Sequence, residues 1–459
     1  MRRSPDISAP LGAPFRRLLA VAGPLVVCAP ALAASPAGGD DAATMGTIIA
    51  LLGVVAAAYL LAHVVVDWVQ RRLLIVSGFE YLFLGMLLGP VVIPSVHILG
   101  DLTALAPIIA FAAGWVGLLY GMELDLRTLI TIPDRSLRLA AVEVLVTCSV
   151  VAATAIWFFQ SGLFGLPAVT GPQAWMSAGV LGAAAAAASS SAVDLMDLRY
   201  PQLESRLLPL LRRTARLEDV FAIVVYGVLF CVFHMGSTRT AVPPAPSDWV
   251  LLTLGLGLFL GLLFILFLGE DASSNTRFLA LVGIIVFASG AAFFLNVSAL
   301  LVNLLLGVVI VNTRQGEGVF ETLQSSAKPV RLILLVFAGA LWVPVPLVPA
   351  LVFTVGFLLV RLLSKMVAGL VAALGTSMRN DVFRGVLAQG EVAVAMAIAF
   401  KLVYAGPTVD LVYTAILGSF VFYEAVAPRL LKGLLVDAGE LGEDVDKATI
   451  PRGPIEYGG

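Results

Sequence analysis

The sequence predicts an all-helical, polytopic membrane protein of about thirteen transmembrane helices, and three observations carry that prediction. Hydrophobic residues make up 60% of the chain and charged residues only 13%, with a mean hydropathy of +1.00, far from the composition of a soluble domain. Apolar runs long enough to cross about 30 Å of hydrocarbon as helices recur along almost the whole chain. Basic residues gather in every second loop, as the positive-inside rule requires of a correctly counted set of spans.

The first 34 residues stand apart. Arg2, Arg3, Arg16 and Arg17 precede a short, Pro-broken apolar run and then Ala31, Leu32 and Ala33, the layout of a cleavable secretory signal removed near Ala33. An uncleaved anchor is the competing reading. Residues 35–432 form the membrane unit, and residues 433–459 a short acidic tail. The spans fall near 47–69, 73–93, 102–122, 137–160, 172–196, 210–234, 249–268, 277–294, 297–313, 328–343, 347–375, 383–404 and 408–431.

Loops after odd-numbered spans hold Arg71 and Arg72, then Arg127, Arg135 and Arg138, then Arg199, Arg206, Arg212, Arg213 and Arg216. Arg277 follows, then Arg314, Lys328 and Arg331, then Arg379 and Arg384, and last Arg429 and Lys432, whereas loops after even spans hold only Arg239. One missed or invented span in mid-chain would scramble this alternation. It puts the mature N-terminus outside and the C-terminus in the cytoplasm.

Several function classes drop out. A net charge of −2 with basic residues confined to short clusters offers no face for nucleic acid. Cys28, Cys148 and Cys231 have no metal-ligand spacing and form no disulfide framework. There is no Walker-type phosphate loop, no cofactor motif and no loop long enough for a soluble domain. The chain reads as a transporter rather than an enzyme, acting within the bilayer.

Ionisable residues at membrane depth are expensive and are kept for function. Glu123, Asp125, Asp194, Asp197, Asp67 and Glu80 lie near span ends where water reaches them, His63 reads as a packing histidine, and Lys401 is placed to snorkel. Glu143, about two turns into its span, has no assigned partner. Glu218 and Asp219 sit side by side two turns into the sixth span; adjacent helical residues point about 100° apart, so one should face a cavity and the other a flanking partner. Arg361 and Lys365 in the eleventh span are four apart, on one face near mid-membrane, and offer that partner. Whether a buried ammonium keeps its proton depends on whether the carboxylate beside it is engaged elsewhere.

Two spans read as broken. The fifth carries an alanine run and then Ser189, Ser190 and Ser191, and the twelfth places Gly390 and Glu391 inside the bilayer. Small residues allow close crossing, and Ser and Gly allow a helix to unwind where it lines a cavity. The two are seven spans apart and so run in opposite directions, as inverted repeats require.

Residues 84–90 (LGMLLGP), 121–126 (GMELDL), Ser189 to Val193, Glu218-Asp219-Val220 and Gln389 to Ala393, in this order and spacing, resemble the monovalent cation:proton antiporters. The likeness is to their second branch of bacterial sodium/proton and potassium/proton exchangers. The resemblance implies an inverted-repeat fold with two crossed broken helices, a core that moves against a dimerisation unit, and a homodimer. It implies that Asp219 binds cation and proton in turn, that Glu218 takes the position preceding it, and that Lys365, or Arg361 one turn away, is the basic partner. Ser189, Ser190 and Ser191 match the first broken helix, Gly390 and Glu391 the second.

Glu218 departs from the aspartate of many members by one methylene, which leaves ion selectivity and stoichiometry open. The expected activity is exchange of sodium or potassium for protons by alternating access, with no cofactor. Two other classes fit the composition: a sodium-coupled symporter of an organic anion on a similar architecture, and a transport-inactive membrane sensor.

Overall fold

In the computed structural model the described residues are 78–89, 105–129, 133–162, 169–234, 245–268, 274–313, 316–376 and 378–442. The signal segment, the first span with His63 and Asp67, Arg71, Arg72, Arg239 and the end of the acidic tail lie outside them. The remaining spans are helical: α1 (Phe79–Leu88), α2 (Ala106–Met122), α3 (Asp134–Ser161), α4 (Pro172–Ala186), α5 (Ser191–Arg199), α6 (Leu207–Val232), α7 (Pro246–Leu268), α8 (Ser274–Phe294), α9 (Ala299–Val311), α10 (Gly316–Ala340), α11 (Leu347–Ala373), α12 (Glu391–Val403) and α13 (Pro407–Asp437). No strand occurs among the described residues.

The fifth and twelfth spans are broken, and their breaks cross. After α4 the chain is extended from Ala187, with α5 starting at Ser191; a 3₁₀ turn at Val382–Gly385 leads through an extended stretch to Gly390, the N-cap of α12. The Ser189 amide donates to the Ala388 carbonyl at 3.0 Å, and the Gln389 side-chain amide donates to the Ala184 carbonyl at 2.9 Å. Backbone groups freed by unwinding are thus satisfied by the other broken helix, as the bilayer interior demands.

Among the described residues, six helical stretches are long and apolar enough to cross a membrane by length and composition: residues 134–161, 172–199, 246–266, 276–294, 347–373 and 407–437. The sequence reading counts more because its first span lies outside the described residues, because α1, α2, α9 and α12 are shorter helices, and because α6 and α10 carry more charge. The tenth span also differs from expectation. Its helix starts at Gly316 rather than near residue 328 and carries Pro329 inside, so the charged stretch read as a loop is helical and Arg331 lies within α10.

By contact the helices sort into two groups. α1, α2 and α7 to α10 pack together, α3 to α6 and α11 to α13 pack together, and the groups meet chiefly where α6 and α12 face α2, α7, α9 and α10. Small residues bring the helices of the first group close. A Cβ on Gly117 or Gly121 would stand 2.2 or 2.1 Å from the Leu300 or Leu304 carbonyl oxygen of α9, distances no side chain tolerates. Packing of this kind replaces the hydrophobic drive that lipid does not supply between helices.

Candidate functional site

The polar centre is built by α3, α6 and α11 beside the crossing. α6 carries Arg212, Arg213 and Arg216 ahead of Glu218 and Asp219 within two turns; its apolar remainder from Val220 onward holds it among α3, α4 and α12. Glu218 is 0% and Asp219 1% exposed.

The two carboxylates face different surroundings. Lys365 of α11, itself 0% exposed, lies with its Nζ 2.5 Å from Glu218 Oε2 and 3.1 Å from Glu143 Oε2 of α3. One ammonium therefore serves two buried carboxylates, and their remaining oxygens, Glu218 Oε1 and Glu143 Oε1, have no hydrogen-bond partner in the protein. Desolvating these charges is offset only by such short, charge-assisted contacts.

Asp219 has no basic neighbour of this kind. Its Oδ1 is buried without a protein partner, and its carboxyl interacts with the Tyr120 hydroxyl of α2 and lies within the electrostatic range of Glu391, Glu218 and Glu123. A carboxylate with an open oxygen, surrounded by further oxygens, can bind a proton or a small cation and cannot hold both at full strength.

Arg361, expected from its spacing as an alternative partner for the carboxylates, makes its hydrogen bonds elsewhere. Its guanidinium donates to the carbonyls of Ala185 at 3.0 Å, Ala187 at 3.1 Å and Leu387 at 2.8 Å, and its Cζ lies 4.3 Å from the centre of the Tyr423 ring. It clamps the carbonyl end of α4 to the second break, where the fork of a guanidinium and the negative end of a helix dipole suit each other. Lys365, one turn on, is left with the carboxylates.

The three serines are all engaged. Ser189 Oγ accepts from the Ser191 amide at 3.1 Å, Ser190 donates to Asp194 Oδ2 at 2.9 Å, and Ser191 donates to Glu424 of α13 at 3.0 Å. Gly390 is tight against the same segment: a Cβ there would lie 2.8 Å from Ser189 Cβ. Glu391, the first residue of α12, takes the Tyr120 hydroxyl at 3.4 Å and lies 3.3 Å from Arg331 Nε.

Sequence reasoning left Glu143 without a partner and passed over Tyr120, Arg331 and Glu424. Three acidic residues assigned to solvated span ends are ion-paired: Asp194 and Asp197 with Arg212, and Glu123 with Arg216 at 3.4 Å. Lys401, in the last turn of α12, has its Nζ 2.7 Å from Asp410 Oδ1 and 4.8 Å from the Tyr413 ring centre.

No curated protein matches the chain. Solved structures share its fold, two of them of one antiporter. The structure of the sodium proton antiporter MjNhaP1 from Methanocaldococcus jannaschii at pH 8 aligns with a TM-score of 0.57 at 16% identity, over 86% of this chain and 99% of that one. An electron-microscopy map of the same antiporter aligns with a TM-score of 0.54 at 15% identity, over 88% and 99% of the two chains. The transmembrane sodium/hydrogen exchanger family matches residues 79–436, which takes in both breaks, Asp219 and Lys365, and the chain belongs to that family.

Proposed function

We propose that this cation/proton antiporter carries its substrates on Asp219, which binds an alkali cation on one side of the membrane and a proton on the other. The observation that carries the assignment is the asymmetry within the pair. Glu218 is held by Lys365 at 2.5 Å, whereas Asp219 is equally buried and keeps an unpartnered oxygen. Competition for that carboxylate couples the two fluxes without ATP.

Alternating access follows from the division of the helices. α6 and α12, which bear Asp219 and Glu391, form most of the boundary between the two groups, so displacement of one group against the other carries the site from one side to the other. Glu218, Glu143 and Lys365 form a charge cluster beside the site.

The test is exchange in proteoliposomes with an imposed pH gradient, comparing sodium with potassium and recording membrane potential. Wild-type protein is expected to dissipate the gradient on cation addition, and Asp219→Asn to abolish the response. Retained exchange in Asp219→Asn would remove the assignment.

A further inference from the structure

Glu391 is held by two helices of the opposite group at once. Its Oε2 lies 3.3 Å from Arg331 Nε of α10, and its Oε1 accepts from the Tyr120 hydroxyl of α2 at 3.4 Å. Both donors belong to the α1, α2, α7 to α10 group, and Glu391 opens α12 in the other. A second ion pair, Arg216 with Glu123, crosses the same boundary from α6 to the end of α2.

The contact is built so that it can be given up. As the first residue of α12, with Gly390 as an N-cap that supplies no side-chain hydrogen bond, Glu391 is already stabilised by the positive end of the helix dipole. That stabilisation does not depend on Arg331. Arg331 in turn feels a second carboxylate of the same group, Glu424 of α13, which is buried and bonded to Ser191. The two side chains keep exposures of 28% and 18%, although Arg331 Nε itself is buried, so separating them carries a smaller penalty than breaking the fully buried Lys365 cluster.

We propose that Glu391 and Arg331, with Tyr120, form a latch between the two helix groups that restrains the conformational step of transport. The proposal rests on the exchange reading above. Glu391 and Arg331 are positioning residues: they set how readily the groups part, and the cation is bound by Asp219. A part-exposed ion pair of this kind is worth a factor of about two to five in a rate or equilibrium.

The experiment compares wild type, Glu391→Gln, Arg331→Gln and the double variant in proteoliposomes, reading maximal exchange rate and the cation concentration at half-maximal rate. Melting in detergent verifies folding, and Glu391→Asp replaces Glu391→Gln if the latter fails to fold. The latch requires each single variant to raise the maximal rate by the same factor, about threefold, with half-saturation unmoved in Arg331→Gln, which leaves the charges around Asp219 in place. The double variant should then be no faster than either single one, because both remove one interaction. Additive effects, a fall in rate or a displaced half-saturation in Arg331→Gln would overturn it.

If wild-type liposomes show no exchange that depends on Asp219, the exchange reading fails. The latch is then decided by amide hydrogen exchange of α12 in the same four proteins. Faster exchange in both single variants, with no further gain in the double, supports the latch; any other pattern overturns it.

Discussion

Ser189 and Gly390 meet where the two broken helices cross, with room for one side chain between them. A Cβ on Gly390 would stand 2.8 Å from Ser189 Cβ and 2.9 Å from its Oγ, closer than atoms in a packed interior approach. The Ser189 amide is bonded to Ala388, so the backbones cannot drift apart without breaking that bond. Gly390→Ala is expected to lower stability by about 1–3 kcal/mol, the usual cost of overpacking, measured as the midpoint of thermal unfolding in detergent. Adding Ser189→Gly removes the clashing atoms and should recover most of the loss; a double variant no better than Gly390→Ala would refute this account.

Arg361 satisfies three buried carbonyls. A lysine at this position keeps the charge but cannot present the same fork, and each buried acceptor left unpaired costs about 1–3 kcal/mol. Arg361→Lys should therefore lose about 2–4 kcal/mol of stability, seen as a lowered unfolding midpoint. Equal midpoints for Arg361→Lys and wild type would show that the clamp is dispensable.

Lys365 stands between Glu143 and Glu218. Lys365→Met strands two buried carboxylates, a change in the range of about 3–5 kcal/mol. Glu143→Gln leaves the Glu218 contact in place and should cost markedly less. Adding Glu143→Gln and Glu218→Gln to Lys365→Met removes the stranded charges and should restore much of the loss. Thermal melts of the four proteins decide the order.

Outside the membrane-spanning segments, the Arg379 guanidinium is bonded to both oxygens of Asp381 at 2.9 and 3.1 Å and holds that carboxyl below the usual carboxylate range. A lowered folded-state pKa contributes stability above the unfolded value, about 3.9, and that contribution fades as pH falls through the folded value. The pair is largely exposed, so its worth is about 1 kcal/mol or less. The difference in melting temperature between wild type and Asp381→Asn should shrink as pH drops from 6 toward 3; a gap that stays constant would contradict this reading.

Much of the architecture was legible because lipid imposes it. A run such as residues 137–160 must be helical, and the alternation of arginines constrains how many such runs there are. The breaks were legible from the Ala and Ser run before Val193 and from Gly390. Partnerships were harder. Glu143 and Lys365 are 222 residues apart, and nothing in either neighbourhood points to the other. Arg361 and Lys365 share a helix face, so spacing treats them alike; only the carbonyls that cross above one of them tell them apart. Glu424 drew no reading and Arg331 read as a loop charge, because the Ser191 and Glu391 side chains they meet come from distant parts of the chain.

The Lys365 cluster also bears on how the protein is made. Glu218 and Lys365 are separated by 147 residues, and at about 5–20 residues per second of synthesis the lysine emerges roughly 7–30 s after the glutamate. During that interval α3 and α6 have already been made, carrying Glu143 and Glu218 without their counter-ion. The nascent first half must therefore be sheltered, by the insertion machinery or by staying near the interface, until α11 arrives. Biogenesis, as much as transport, is paced by one late ammonium.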